Sequence, residues 1–265
     1  MSGPDYDEDH VRSLVDAVLA ADPADLRPGF YAVVGSHCHG FADADSDVDV
    51  RGMHLADGTR YMLLDEPAER LVVNQGTPTH GFEEWAGVDC TSHECKAWVA
   101  ALATTNFDPV ETLLCGEVVV NELPDEIDAL RAIVRDALPL ELPHSYYGLA
   151  KRTYERHLVP GQEGYDPTPK RYLYALRPLL GAHYVVEGED VLADVSALSR
   201  AVLGDDDLVS ELVVRKRAGE SLDDHLAARA DRQVEGLFET LTFTDASSTQ
   251  FHRDLDDWLR RVRGI

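Results

Sequence analysis

The sequence predicts an α+β protein: a small mixed sheet with flanking helices over residues 1–120, followed by an all-helical domain over 121–265. Three observations predict it. Apolar runs of strand length, several of them alternating with polar residues, are confined to the first part of the chain. From residue 108 onward, apolar residues recur at three- and four-residue intervals, the spacing of a helix face. No repeat and no low-complexity linker separates the two regimes.

Each element has its own signal. "DEDHVRSLVDAVLAA" at 7–21 places apolar residues at 11, 14, 15, 18 and 19, one helical stripe, which Pro23 and "RPG" at 27–29 bring to an end. "FYAVVG" at 30–35 reads as a buried strand running into a Gly-Ser turn. In "SDVDVRGMHL" at 46–55, aspartates alternate with Val48, Val50 and Gly52, so Asp47 and Asp49 share one face of a strand. "YMLLD", "ERLVVN" and "HGFEEWAGVDC" read as further strands, the last closing on Asp89 and Cys90. Thr91 with Glu94 forms a capping box before the apolar stripe Cys95, Trp98, Val99 and Leu102. Asp108 as N-cap, Pro109 at the first position and Glu111 at the third announce the next helix. Further helices are expected at 124–137, 144–157, 168–186, 191–203, 207–218, 221–241 and 247–263, with Pro178 kinking or splitting the third of these. The acidic run "GDDDL" at 204–208 reads as a solvated helix start.

Composition bounds the function. Hydrophobic residues make up 44% of the chain, enough for a buried core. No apolar run approaches the roughly 20 residues needed to span a bilayer. The opening "MSGPDYDEDHVRS" is acidic and polar, the opposite of a signal peptide, so a cytoplasmic location is expected. The net charge is −25, and of 24 basic residues only Lys96, Lys151, Lys170 and Lys216 are lysines. This balance is similar to the proteomes of salt-in halophilic microbes, where molar salt screens self-repulsion; an ordinary acidic cytosolic protein is the alternative. Such charge argues against broad, sequence-independent nucleic-acid binding. It also means that an aspartate counts as a site candidate only if its position says more than its charge. Asp43 and Asp45, in the connection after the turn, are accordingly read as solvated surface. Cys38, Cys90, Cys95 and Cys115 are expected as free thiols. "HCH" at 37–39 and "CTSHEC" at 90–95 match no closed zinc set, and Cys90 alternates away from Asp89 toward the core.

One stretch concentrates chemistry: "VVGSHCHGFADADSDVDVRG" at 33–52. Two carboxylates one residue apart repel one another, a cost that cations lying between them would relieve; a merely acidic loop is the alternative. By itself an Asp-x-Asp is also the metal-binding pair of nucleotide-sugar glycosyltransferases. Here it stands behind Val34-Gly35-Ser36, reads Asp47-Val48-Asp49-Val50, and is followed by a lone strand-terminal Asp89. That order resembles the DNA polymerase β-like nucleotidyltransferase superfamily. The resemblance extends to a subgroup of predicted stand-alone nucleotidyltransferases with a helical C-terminal region, some of them encoded beside RNA ligases. Gly40, Arg51 and Gly52 agree with that subgroup, as do "TNFDPVETLLCG" and "PKRYLYALRPLL"; His37 stands where it commonly has arginine. The likeness covers most of residues 31 to 184 and does not reach the tail after 190.

The resemblance implies a polymerase β-like catalytic domain. Asp47, Asp49 and Asp89 would be its catalytic residues and metal ligands, holding two Mg²⁺ ions or Mn²⁺. Gly35 and Ser36 would approach the β,γ-phosphates of an NTP such as ATP. The acceptor it implies is an RNA end, with protein nucleotidylation by an antitoxin-like member as the alternative, and a non-catalytic nucleotide-binding module as the non-enzymatic one. A second feature comes from the residues themselves. Thr168 caps a helix and Pro169 opens it, so Lys170 and Arg171 fall in the first turn, where positive charge opposes the helix dipole. An anion docked there, such as the triphosphate, would account for both, with Arg177 two turns further on; a locally paired surface charge is the alternative. Lys151 and Arg152 are lesser candidates for polyanion contact.

Overall fold

The structure, a computed structural model, describes residues 6–64, 66–188, 190–242 and 249–264, with side chains at all of these but 139–141. Its strands form one five-stranded mixed sheet, and helices make up the C-terminal region, so the fold is α+β.

The chain opens with α1 (Glu8–Ala20), capped by Asp7, whose carboxylate accepts from the N–H groups of Asp9 and His10. The sheet comprises β1 (Arg27–Val34), β2 (Val48–Leu55), β3 (Arg70–Val73), β4 (Val88–Glu94) and β5 (Glu117–Asn121), in the order β3-β4-β2-β1-β5. β1 pairs antiparallel with β2 and with β5, β4 pairs parallel with β2, and β3 closes the edge antiparallel to β4. One face of the sheet meets α1: Val11, Leu14, Val15 and Val18 are buried with Tyr31, Val33, Val48, Val50 and Cys90. α3 (Cys95–Ala103) and α4 (Phe107–Leu114) pack on β1 and β2, with Phe30 against Trp98 at 6.2 Å between ring centroids.

Several expected boundaries move, each for a local reason. Thr91 does not cap a helix: β4 stays in register with β2 as far as His54↔Glu94, so α3 begins after Glu94, whose own carboxylate caps the Lys96 N–H at 2.8 Å. Asn106, not Asp108, caps α4, leaving the Asp108 carboxylate for Arg51. "YMLLD" is not a strand; Asp57 caps a 3₁₀ turn over Gly58–Met62, and Met62 and Leu64 are 86% and 104% exposed. Of "HGFEEWAGVDC" only the end from Val88 is strand, because Glu83–Trp85 form a 3₁₀ turn and Gly81 and Gly87 take positive φ. β5, in a region expected to be helical throughout, is an added strand.

The expected pair of helices at 124–137 and 144–157 is one helix, α5 (Pro124–His157). Each interior proline costs about 3 kcal/mol. Burial of Leu138, Leu142, Tyr146 and Ala150 at four-residue spacing offsets it, at about 1.5–3 kcal/mol for each large side chain. α6 (Pro169–Val186) likewise continues through the buried Pro178 without splitting. It is followed by α7 (Val195–Leu203), α8 (Asp207–Arg217), α9 (Asp224–Thr240) and α10 (Thr249–Arg263); the expected start of the last at 247 lies outside the described residues.

The chain divides into two compact units. The first comprises the described residues of 1–38, 45–136 and 248–265, the second those of 39–44 and 137–247. α10 belongs to the first unit because Phe251, Leu255 and Trp258 form a buried stripe, and the Trp258 indole N–H donates to the Glu126 carbonyl at 2.7 Å. Residues 39–44 belong to the second because Phe41 sits in its core, Arg217 donates to the carbonyls of Gly40 and Ala42, and Asp43 pairs with Lys216. Asp43 is therefore not the solvated side chain expected of it, whereas Asp45 is exposed. Among the described residues no helix is long and apolar enough to cross a membrane.

Candidate active site

The site is built on the parallel pair β2–β4. Their register sets Asp49 beside Asp89, flanked on both strands by residues that point the other way into the core: Val48 and Val50, Val88 and Cys90. Period-two alternation thus holds the two carboxylates on the opposite, partly open face. Asp47 lies one residue before β2 and is exposed. On the other side of β2, Val34 of β1 pairs with Asp49, and the chain turns at once through Gly35, which takes φ +68°. A Cβ on Gly35 would overlap an Asp49 carboxylate oxygen and stand 2.8 Å from its Cγ. Only glycine allows both that backbone conformation and that approach. Ser36 follows, buried, in the short helical turn α2 (Gly35–Cys38).

Electrostatics marks the same place. Asp89 is pushed up to about 6, first by burial and then by the charges of Asp47 and Asp49, against the lowering effects of the Gly76 N–H and Arg51. The Gly76 N–H reaches its carboxylate at 3.1 and 3.4 Å. Arg51, two residues past Asp49 on the same face, lies 3.8 Å from the Asp49 carboxylate and 3.3 Å from that of Asp108 on α4. Among the described residues no three His, Cys, Asp or Glu side chains are already gathered as an ion-binding set. The donor chemistry fits a hard divalent cation: Asp47, Asp49 and Asp89 offer only oxygens, and the charges of Asp47 and Asp49 raise the cost of ionising Asp89 in a way a cation would relieve.

Of the residues expected at the site, Asp47, Asp49, Asp89, Gly35 and Ser36 all lie in the first unit. Lys170, Arg171 and Arg177 lie on α6 of the second unit. The helix starts as expected, with Thr168 accepting from the Arg171 N–H. Lys170 is exposed, its ammonium 5.9 Å from the centre of the Tyr174 ring, and Arg171 is 3.6 Å from Asp166. Arg177 is only 2% exposed. No disulfide joins the four cysteines among the described residues, the Cys38 thiol donates to the Cys115 carbonyl at 3.3 Å, and burial pushes the thiols of Cys90 and Cys95 up to about 12, which suits inert core thiols.

The sequence reading did not single out what lies beside the carboxylates. A cavity of about 240 Å³ is lined by Arg51, Arg70, His93, Trp98, Asn106 and Asp108, among others. The alternation that aligned Asp47 with Asp49 continues to Arg51, and from Asp89 to His93, so the period itself carried the signal.

Residues 23–261 match the family described as the RNA repair pathway DNA polymerase beta family, RlaP. The chain is 28% identical over 207 residues to the uncharacterized protein YcgL of Bacillus subtilis (strain 168), covering 76% of this chain and 74% of that one. A solved structure of a nucleotidyltransferase-like protein from Exiguobacterium sibiricum 255-15 aligns with a TM-score of 0.35 at 14% identity, over 96% of this chain and 79% of that one. The chain belongs to the RNA repair pathway DNA polymerase beta family.

Proposed function

We propose that this member of the RNA repair pathway DNA polymerase beta family is a divalent-metal-dependent nucleotidyltransferase. It moves a nucleoside monophosphate from an NTP to an acceptor hydroxyl, an RNA end, and releases pyrophosphate. The observation that carries the reading is the register pairing of Asp49 with Asp89, with the Gly35 backbone pressed against Asp49.

Asp47, Asp49 and Asp89 would hold the metal, Mg²⁺ or Mn²⁺, which when bound supplies positive charge against the reacting phosphate. The chain's own residues do the rest. The turn at Gly35 brings backbone close to the carboxylates, where N–H groups and the Ser36 hydroxyl serve the β,γ-phosphates. Asp89, on the strand away from that turn, orients the acceptor hydroxyl and takes its proton. Little covalent work falls to the protein in such a transfer; positioning and charge account for most of the rate.

The test is transfer of label from α-labelled NTPs, with Mg²⁺ or Mn²⁺, to RNA ends, total protein and hydroxylated small molecules in parallel. Labelled RNA that disappears with Asp49→Asn supports the reading; labelled protein instead moves the acceptor to a protein hydroxyl. NTP that is neither bound nor consumed by folded protein would sink it.

A further inference from the structure

Arg70 and His93 are register partners on β3 and β4, and both line the cavity of about 240 Å³. Arg70 is exposed and has no ion pair among the described residues, although the chain carries 49 acidic side chains. His93 is half-buried, and its imidazole makes no hydrogen bond among the described residues. The one carboxylate in the lining, Asp108, is already engaged by Arg51 at 3.3 Å. Open donors therefore face this space while its acid is neutralised. Trp98, Ala101 and Pro109 add apolar surface to the lining, and Asn106 and Thr112 add uncharged polar groups.

Position decides what the space is for. The Gly35–Ser36 turn flanks Asp49 from the β1 side of β2, whereas Arg70 and His93 lie on the β3–β4 side. Phosphoryl-type transfer places the attacking and leaving oxygens roughly in line across the phosphorus. With the pyrophosphate at the turn, the opposite flank is the acceptor's. Resting on the nucleotidyl-transfer reading above, we infer that the Arg51–Arg70–His93 cavity is an acceptor subsite that grips a phosphate group of the acceptor's terminal nucleotide. Arg70 offers a guanidinium fork suited to two phosphate oxygens, and His93 a ring N–H to a third.

The probe is a nucleoside monophosphate, its phosphate at the 5′ or 3′ position, compared with the unphosphorylated nucleoside by calorimetric titration of the full chain without metal. Wild type is expected to bind a monophosphate at least about tenfold tighter than the nucleoside, the equivalent of one charge-assisted hydrogen bond. Arg70→Gln, at an exposed position, should abolish that preference while metal-dependent binding of a non-hydrolysable NTP analogue stays within about twofold. Equal binding of monophosphate and nucleoside, or a preference that survives Arg70→Gln, overturns the inference. An equal loss of the NTP analogue in Arg70→Gln also overturns it, by assigning the phosphate to the donor nucleotide. These binding results stand apart from catalysis: a chain that transfers no label yet loses its monophosphate preference with Arg70→Gln retains the phosphate site and fails the transfer reading alone.

Discussion

Gly35 and Asp49 touch: the glycine takes φ +68°, and a Cβ there would overlap the Asp49 carboxylate. The turn residue and the carboxylate are thus one unit, with the absence of a side chain on the first setting the position of the second. Gly35→Ala should cut nucleotidyl transfer by about a hundredfold or more, the scale of losing one preorganised electrostatic group. It should destabilise the fold by about 1–3 kcal/mol for the left-handed backbone. Transfer assays alongside urea unfolding separate the two, and undiminished transfer would contradict the coupling.

A buried relay makes stability pH-dependent. The Tyr31 hydroxyl lies 2.6 Å from Ser92 Oγ, which lies 2.7 Å from His54 Nδ1, while His54 Nε2 reaches the Ala68 carbonyl at 3.0 Å. The Ala68 oxygen can only accept, so Nε2 carries the proton and Nδ1 accepts from Ser92. Burial depresses the His54 pKa below its ordinary value, against raising effects of the Ala68 carbonyl and nearby carboxylates. Between the folded and ordinary values the unfolded chain binds more protons. The contribution of the neutral relay is therefore complete above about pH 6.5 and lost as pH falls through the folded value. His54→Asn should cost about 1–3 kcal/mol at pH 7.5, and the gap to wild type should narrow at pH 5. A gap independent of pH would refute the neutral relay.

The C-terminal helix completes the first unit. Trp258 is fully buried, donates to Glu126, and shares α10 with Arg263, which pairs with Glu94 at 2.6 Å and lies over the Tyr61 ring at 4.5 Å. Trp258→Ala should destabilise the protein by about 3–5 kcal/mol, read as a shift of the urea midpoint. A shift below 1 kcal/mol, about the cost of a surface change, would detach α10 from the core.

The net charge of −25 predicts a strong response to salt. Self-repulsion acts over about 10 Å at 0.1 M salt and about 3 Å at 1 M. Tm should therefore rise steeply between 0.1 and 1 M KCl, and much more slowly beyond. A flat or falling Tm would show that local pairs, such as Lys216–Asp43, already absorb the repulsion.

What the sequence revealed and what it hid follow one rule. Signals confined to a few residues were readable: the alternation around Asp49, the Gly-Ser turn, the Thr168 cap of α6. Long-range pairing was not. "EVVVN" has the β-branched run of a strand, yet only its pairing with β1 makes it β5 rather than part of the helices on either side. The stripe of α10 was visible, but not that it packs with residues more than a hundred positions earlier. Phe41 lies in a polar stretch whose sequence gives no hint that it enters the core of the helical unit. The Arg70–His93 cavity needed a β3–β4 register that no local pattern fixes.

Nucleotidyl transfer at Asp49 and Asp89 is tested by pyrophosphate release coupled to label transfer from an α-labelled NTP, with Mg²⁺ and RNA ends, for wild type, Asp49→Asn and Asp89→Asn. Wild type is expected to give equimolar pyrophosphate and labelled RNA, and each variant to lose both by at least about a hundredfold with the fold retained. Transfer that persists undiminished in both variants would contradict it.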